Sequence, residues 1–183
     1  MNVKVTPSYC FIVASDETTP GCTEEESRRI LRENGIKMSA AFSVKMPDTW
    51  TPIFDLSDPE KVKRQNQYAE TEIEEVIENI KSKTTGNRMN RKIPYLVHPV
   101  TQLYQKHETQ TKNFHVEDSC IGCGLCAKRC PMQAIEIIDR KPVWIKDHCA
   151  ACLRCLHHCP KFAIQYGNNT KKHGQYRNSN VQV

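Results

Sequence analysis

The sequence predicts an α+β protein in two parts, a partial α/β segment followed by a small cysteine-rich domain with pseudo-twofold symmetry. Residues 9–83 alternate between strand and helix patterns, whereas eight of the ten cysteines lie between positions 120 and 159. We therefore predict an α/β segment at residues 1–83, a linker with a short helix at 84–113, a cysteine-rich domain at 114–170 and a basic tail at 171–183.

The α/β segment begins with a strand, a helix and a second strand. The apolar run Tyr9–Ala14 is typical of a parallel strand buried on both faces. A capping-box pattern at Thr23 and a C-cap glycine at Gly35 predict a helix over residues 24–34. From Ile36 to Met46, apolar residues alternate with mostly polar neighbours, which predicts a strand with a period of two.

A second helix should follow, opening at Ser57 with Pro59 in its first turn and running to about Lys83. One of its faces is apolar at helical spacing and should pack against a sheet: Ala69, Ile73, Val76, Ile77 and Ile80. The order strand, helix, strand, helix indicates a parallel α/β unit. Two strands are too few for a covered parallel sheet, so the unit resembles half of a domain.

Residues 84–113 are polar and basic and contain Pro94 and Pro99. We interpret them as a linker with a short helix around Val100–Lys106, whose role is to dock the two parts together. Because no other potential ligands lie near His98 and His107 in the sequence, surface or packing roles are favoured for both.

Two cysteine motifs carry the strongest signal in the chain. Four cysteines spaced C-x2-C-x2-C-x3-C-P form the first motif, Cys120–Pro131, and the same spacing forms the second motif, Cys149–Pro160. The ligand positions are Cys120, Cys123, Cys126 and Cys130, and, 29 residues later, Cys149, Cys152, Cys155 and Cys159. The offset also relates Ala134 to Ala163, so we predict two related hairpin-and-helix halves.

The spacing has a chemical reason. Three cysteines at i, i+3 and i+6 let one tight loop wrap three corners of an iron–sulfur cube. Small residues in the loops permit close backbone approach, so that N–H groups can point at sulfur: Gly122, Gly124, Ala150 and Ala151. Zinc ribbons use separated C-x2-C pairs and disulfides need an oxidising compartment, so both alternatives are weaker. Cys10 and Cys22 lack the spacing and are not expected to be ligands.

Between the motifs, the sequence predicts two short strands around the turn Asp139–Pro142. Apolar side chains there should cover the clusters and exclude water: Ile135, Ile137, Ile138, Val143 and Ile145. We expect Trp144 to be a core or domain contact. Three histidines next to ligand positions should face solvent: His148, His157 and His158.

Residues 114–170 resemble bacterial-type two-cluster ferredoxins. In those proteins the fourth cysteine of each motif binds the other cube. The resemblance therefore implies two crosswise ligand sets. One set is Cys120, Cys123, Cys126 and Cys159, and the other is Cys149, Cys152, Cys155 and Cys130.

A wider resemblance appears in the flanking segments, PGCTEEESRRILRENGIKMSAAFSVKMPDTWTPIFD and CPKFAIQYGNNTKKHGQYRN. With the long amphipathic helix between them, these are similar to the flavodoxin–ferredoxin fusion family of anaerobic bacteria and archaea. The first three strands and the phosphate loop of a flavodoxin are absent, and Tyr9–Ala14 corresponds to the fourth strand. We interpret the chain as truncated, partially predicted or half of a split protein, and flavin mononucleotide (FMN) binding is not carried over.

Charge and hydropathy limit the functional classes. The formal charge is +5; residues 1–113 are neutral overall, residues 114–170 carry seven basic and five acidic side chains, and residues 171–183 add three basic ones. Two oxidised cubes with their thiolates contribute about −2 each, which leaves about +1. Nucleic-acid binding is therefore weakly indicated. No signal peptide or membrane span is apparent, and we expect a cytoplasmic, reducing location.

The sequence thus predicts a one-electron carrier with two low-potential [4Fe-4S] clusters, serving redox partner proteins, and we identify no catalytic residue. An alternative is a component of a flavin-linked oxidoreductase, whose clusters exchange electrons with FMN on a complete flavodoxin domain. A weaker alternative is a redox-responsive binding protein that uses the basic stretch KKHGQYR.

Overall fold

The computed structural model describes residues 7–89, 103–104 and 106–178. They form two compact units, the first within Met1–Pro47 and Lys63–Val100, the second within Asp48–Val62 and Thr101–Val183. These units differ from the predicted domains chiefly because residues 48–62 group with the cysteine-rich part. None of the helices in the described stretches combines the length and apolar character that crossing a bilayer requires.

The first unit is built on a three-stranded parallel sheet. Its strands are β1 (Phe11–Asp16), β2 (Ala40–Lys45) and β3 (Gly86–Arg88), hydrogen-bonded in the order β1-β2-β3. Helix α1 (Thr23–Glu33) connects β1 to β2, and α2 (Pro59–Lys81) precedes β3. The predicted parallel α/β unit is confirmed. Its third strand, β3, lies within the residues predicted to form the linker. Its residues carry no apolar pattern, and only their pairing with Ala40–Phe42 defines the strand.

The burial predicted for the first two strands is wrong in both cases. Strand β2 is buried along almost its whole length, including Ser43 at 6% exposure, and its residues Ala40–Phe42 have a strand on each side. Strand β1 lies at the edge of the described sheet, where Phe11 and Val13 are 39% and 46% exposed. The polar residue Ser43 in the alternating pattern of β2 therefore does not mark a solvent-exposed face of the strand.

The helix ends follow the local chemistry only in part. Asp58 caps α2, since its Oδ1 accepts hydrogen bonds from the backbone N–H groups of Glu60 (2.9 Å) and Lys61 (3.0 Å), so the cap lies one residue after the predicted opening at Ser57. At α1 the Thr23 hydroxyl instead donates to the Pro20 carbonyl, and Cys22 occupies the N-cap position. Within the predicted apolar face of α2, only Ala69 is fully buried.

The second unit contains two antiparallel strand pairs. Strand β4 (Phe114–Val116) pairs with β7 (Ile164–Tyr166), and β5 (Ile135–Ile138) pairs with β6 (Lys141–Trp144). The predicted turn joins β5 to β6 through Asp139 and Arg140, both with positive φ (46° and 62°), as a tight hairpin of matching twist requires. Residues 103–104 and 106–108 are helical near the predicted linker helix, whereas Val100 and His98 lie outside the described residues.

The backbone of the second unit repeats with the sequence. Helices α3 (Leu125–Lys128) and α4 (Arg154–His157) are related by the 29-residue offset. The left-handed residues are also related by it, in the pairs Gly122 and Ala151, Gly124 and Leu153, and Gln133 and Phe162. Such agreement in unusual backbone conformations means that the two motifs fold as equivalent loops. A last short helix, α5 (Thr170–His173), follows β7.

The core of the second unit lies next to the second motif. It consists of Leu153, Leu156, Ile164 and Tyr166, each at most 5% exposed. Aromatic rings surround this core: Trp50 contacts Tyr166 at 5.3 Å between ring centroids, and Phe114 stacks on Trp144 at 4.6 Å. The prediction that Trp144 is a core contact is confirmed.

Candidate metal centre

The eight motif cysteines line two separate cavities. Cavity A is lined by three cysteines of the first motif, Cys120, Cys123 and Cys126, and by Cys159 of the second. Its wall is completed by apolar side chains, among them Ile137 from β5 and Ile164 from β7. One cysteine of the second motif therefore lies beside three cysteines of the first.

Cavity B has the complementary composition. Cys149, Cys152 and Cys155 of the second motif line it together with Cys130 of the first. Phe114, Ile135 and Trp144 contribute apolar wall. The cysteines are thus grouped as two mixed sets of four, and neither cavity is lined by Cys10 or Cys22.

The short helices explain this exchange of the fourth cysteine. Each motif forms a loop with two left-handed residues, then a single helical turn that contains the third cysteine, and the fourth cysteine lies two residues after that turn. A proline after the cysteine prevents the helix from continuing, as Pro131 and Pro160 do here. The turn therefore separates the fourth cysteine from the loop that contains the first two.

Backbone N–H groups point at several of the sulfur atoms. Ala134 donates to Cys130 Sγ at 3.3 Å, and its repeat partner Ala163 donates to Cys159 Sγ at 3.2 Å. Ala151 donates to Cys149 Sγ at 3.4 Å. Such hydrogen bonds stabilise negative charge on sulfur, so the loops favour thiolates bound to a cation.

Burial opposes ionisation of three of the motif thiols. Burial raises the pKa of the Cys155 thiol far above its usual range, and it also raises the pKa of Cys126 and Cys149. Metal ligation requires the thiolate form. Binding of a cationic group in these cavities must therefore release protons from the cysteines.

The donor set fits an iron–sulfur cube better than a single metal ion. In the described part of the chain, no three His, Cys, Asp or Glu side chains converge closely enough to hold one ion. A cube needs no such convergence, because four cysteines bind it at four separate irons. Sets of four thiols arranged around a cavity, with N–H donors to sulfur, match that requirement.

The predicted apolar cover is only partly present. Ile135 and Ile137 line the cavities, but Ile138, Val143 and Ile145 are 47%, 40% and 48% exposed. The hairpin β5–β6 has only two strands, so the side chains that alternate away from the cavities face solvent. The prediction that five apolar side chains cover the clusters is therefore wrong for Ile138, Val143 and Ile145.

The prediction that His157 faces solvent is also wrong. Its ring is 4% exposed, Nε2–H donates to the Thr49 carbonyl at 2.8 Å, and Nδ1 accepts from the Tyr176 backbone N–H at 3.2 Å. These two bonds define the neutral Nε2–H tautomer, and burial lowers the pKa of His157. His158 is half-buried, and His148 is exposed as predicted.

Sequence reasoning missed the residues that hold α4 in place. Segment 48–62, which precedes most of α2, is tied to the last described residues: His173 Nδ1–H donates to the Thr51 carbonyl at 2.7 Å, and the Leu56 N–H donates to the His173 carbonyl at 2.9 Å. Gln175 donates to the carbonyls of Leu156 and Cys159. Within the segment predicted as a basic tail, residues 173–176 and 178 are thus partly buried. The sequence contains one sign of this packing, the large aromatic side chain of Trp50 in a loop.

Comparison with known proteins identifies the second unit. Residues 112–176 match the family model described as a 4Fe-4S dicluster domain. The search for similar curated proteins and the search for similar solved structures both gave no match. Residues 112–176 are therefore a ferredoxin-type iron–sulfur domain, which supports electron transfer, whereas the flavodoxin-like assignment of the first segment stays a prediction.

Proposed function

We propose that the chain is a one-electron carrier that binds one [4Fe-4S] cluster in each cavity and exchanges electrons with redox partner proteins. The grouping of eight cysteines as two mixed sets of four carries this proposal. When bound, such a cluster takes up and releases single electrons without breaking covalent bonds of a substrate.

Cavity A would bind its cluster through Cys120, Cys123, Cys126 and Cys159, and cavity B through Cys149, Cys152, Cys155 and Cys130. The alanine N–H groups at Cys130, Cys159 and Cys149 would offset negative charge on the ligand sulfurs.

The apolar walls have a second role. Ile137 and Ile164 at cavity A, and Phe114 and Trp144 at cavity B, keep water away from the thiolates. Reduction adds negative charge, which a dry apolar wall disfavours, whereas sulfur-directed N–H groups favour it. We expect low reduction potentials, since the described walls are mostly apolar.

Metal and flavin analysis tests the class of protein. Anaerobically purified or reconstituted protein should contain about eight irons and an equal amount of acid-labile sulfide, since each cube contains four of each. Electron paramagnetic resonance of the reduced protein should show two [4Fe-4S] centres. Stoichiometric FMN would favour the flavin-linked oxidoreductase component, and zinc in place of iron would refute the proposal.

Paired cysteine substitutions test the crosswise assignment. The variant Cys120→Ala/Cys159→Ala removes two ligands of one cavity, so it should lose one cluster, about four irons. The variant Cys120→Ala/Cys130→Ala removes one ligand from each cavity and should impair both clusters. If each motif held its own cluster, the two results would be exchanged.

Substitution of the other two cysteines provides the control. Cys10→Ala and Cys22→Ala should retain the full iron content, because neither side chain lines a cavity. Loss of iron in either control would mean that iron content reports general unfolding rather than ligation.

A further inference from the structure

We propose that the open edge of strand β1 is a dimer interface, at which β1 pairs antiparallel with β1 of a second copy of the chain. The strand spans Phe11–Asp16 and pairs with β2 along one side. Within the described residues, no strand pairs with its other side. The interface is independent of the proposed function, because it belongs to the sheet of the first unit and needs no bound cluster.

Alternate backbone groups of β1 point toward the open side. The carbonyls of Cys10 and Asp16 accept hydrogen bonds from N–H groups next to the two ends of β2, at 2.7 and 2.8 Å, so the even-numbered residues face β2. The backbone N–H and C=O groups of the residues between them therefore face away from β2: Phe11, Val13 and Ser15. Such a row of unpaired groups is a template for pairing with another strand.

The side chains at this edge are apolar and exposed. Phe11 and Val13 lie on one face of the strand and are 39% and 46% exposed. Strand β1 contains no lysine or proline, and it pairs with β2 one residue to one, without a bulge. It thus lacks the features by which edge strands usually avoid association.

Helix α1 presents a further apolar side chain next to the same edge. Arg28 Nη1 donates to the Met38 carbonyl at 3.4 Å, so this side of α1 faces the start of β2. Ile30 lies about 200° around the helix from Arg28 and is 50% exposed, on the side toward the open edge. Pairing of β1 with a second β1 would bring the two α1 helices to about 10 Å, the distance of packed helices.

A register centred on Ile12 matches the two copies. It places Phe11 opposite Val13 of the second copy, so that residues with outward backbone groups exchange hydrogen bonds. Pairs of an aromatic and a β-branched side chain are favourable across antiparallel strands. The same contacts are made twice about a twofold axis, so the assembly closes at two chains.

The charges near the edge favour the antiparallel arrangement. Residues 7–15 carry no charge, and the acidic Asp16 and Glu17 lie together at the end of the strand. In the register centred on Ile12, Asp16 lies opposite Ser8 of the second copy. A parallel arrangement would instead bring the acidic ends of both copies side by side, which is unfavourable.

Sedimentation equilibrium tests the dimer. Full-length protein loaded with clusters is measured anaerobically over a concentration series, and wild type should have twice the chain mass at high concentration. Val13→Lys should raise the dimer dissociation constant about tenfold or more, because each new ammonium group would be desolvated against Phe11 of the other copy. The matched control, Ile77→Lys, adds the same charge at a 43% exposed side chain of α2 and should dimerise like wild type.

Residue-resolved hydrogen exchange provides the second readout. The N–H groups of Phe11 and Val13 should exchange slowly in the wild-type dimer and about tenfold faster or more after dilution to the monomer. In Val13→Lys, the Phe11 N–H should exchange fast at every concentration. The N–H groups of Phe42 and Val44, which are buried in β2, should stay slow throughout, which shows that the sheet is folded.

Each other outcome refutes the interface. A wild-type monomer with fast exchange at Phe11 and Val13 would mean that the edge stays open, and a monomer with slow exchange there would mean that the chain covers its own edge. A dimer that Val13→Lys leaves unchanged would have its contact elsewhere, and assemblies that grow beyond two chains would exclude a closed twofold pairing. Iron content should be the same in wild type and Val13→Lys, so the electron-carrier proposal is tested separately.

Discussion

The two cysteine motifs have the same spacing and backbone, yet they have different surroundings. Helix α3 of the first motif has no buried residue, whereas α4 of the second buries Leu156 and His157 completely or almost so. Lys128, which corresponds to His157 under the offset, is exposed. A repeated ligand loop can therefore be open in one copy and enclosed in the other without a change in its ligand spacing.

Sequence-distant residues produce this difference. Segment 48–62 and residues 173–177 hydrogen-bond around α4, and Thr51 and Thr170 are both fully buried there. Nothing comparable encloses α3 in the described residues. The second motif is therefore the enclosed base of the domain, and the first motif is its open part.

Truncation of Trp50 should have the largest effect on this base. Trp50 packs against Tyr166 and the core around Leu153. Trp50→Ala should lower the free energy of unfolding by about 3 kcal/mol, because a packed aromatic leaves a cavity. Urea unfolding of the cluster-loaded protein under anaerobic conditions, followed by cluster absorbance, measures the change.

A residue of the open motif gives the matched control for Trp50. Ile121 is half exposed, so Ile121→Ala should cost less than about 1 kcal/mol. If Trp50→Ala and Ile121→Ala lowered the free energy of unfolding equally, the enclosed and open motifs would contribute alike to stability, and the contrast between them would be refuted.

The next effect concerns one loop position at which the motifs differ. Gly122 has φ of 67°, and an added Cβ would lie 2.6 Å from the backbone oxygen of Arg140. Gly122→Ala should therefore destabilise the protein by about 2 kcal/mol, from left-handed strain and from displacement of the hairpin turn. Thermal unfolding and the iron retained in cavity A would report the loss.

Ala151 occupies the same position in the second motif with φ of 50°. Ala151→Gly relieves left-handed strain but increases the freedom of the unfolded chain, so the net change should stay within about 1 kcal/mol. If Gly122→Ala were equally mild, contact with the β5–β6 turn could not be what requires glycine in the first motif.

The cysteine loops were predictable because their information is local. Spacing within twelve residues defines each motif, and the 29-residue offset relates left-handed positions such as Gly124 and Leu153. The hairpin turn at Asp139 was predictable for the same reason. Local patterns thus provided the ligand positions and the strands next to them, whereas the crosswise sets came from a resemblance.

Other features depend on contacts between distant residues. Strand β3 exists through its pairing with β2, more than forty residues earlier in the chain. His157 is buried by Thr49, 108 residues away in sequence. No pattern around either residue reveals such a partner, so the sequence predicts a linker at residues 86–88 and a solvent-facing side chain at His157.

A last substitution, at His157, tests whether the burial of this side chain distinguishes the two motifs. His157→Leu keeps the volume apolar but leaves the Thr49 carbonyl and the Tyr176 N–H without their partner. Each unpaired group costs about 1–3 kcal/mol, partly offset by leucine burial, so we expect a net loss between about 1 and 2 kcal/mol. Lys128→Leu, the equivalent change in the open motif, should stay within about 0.5 kcal/mol. Equal losses in urea unfolding would mean that the two helices are enclosed to the same degree in solution, and the contrast between the motifs would fail.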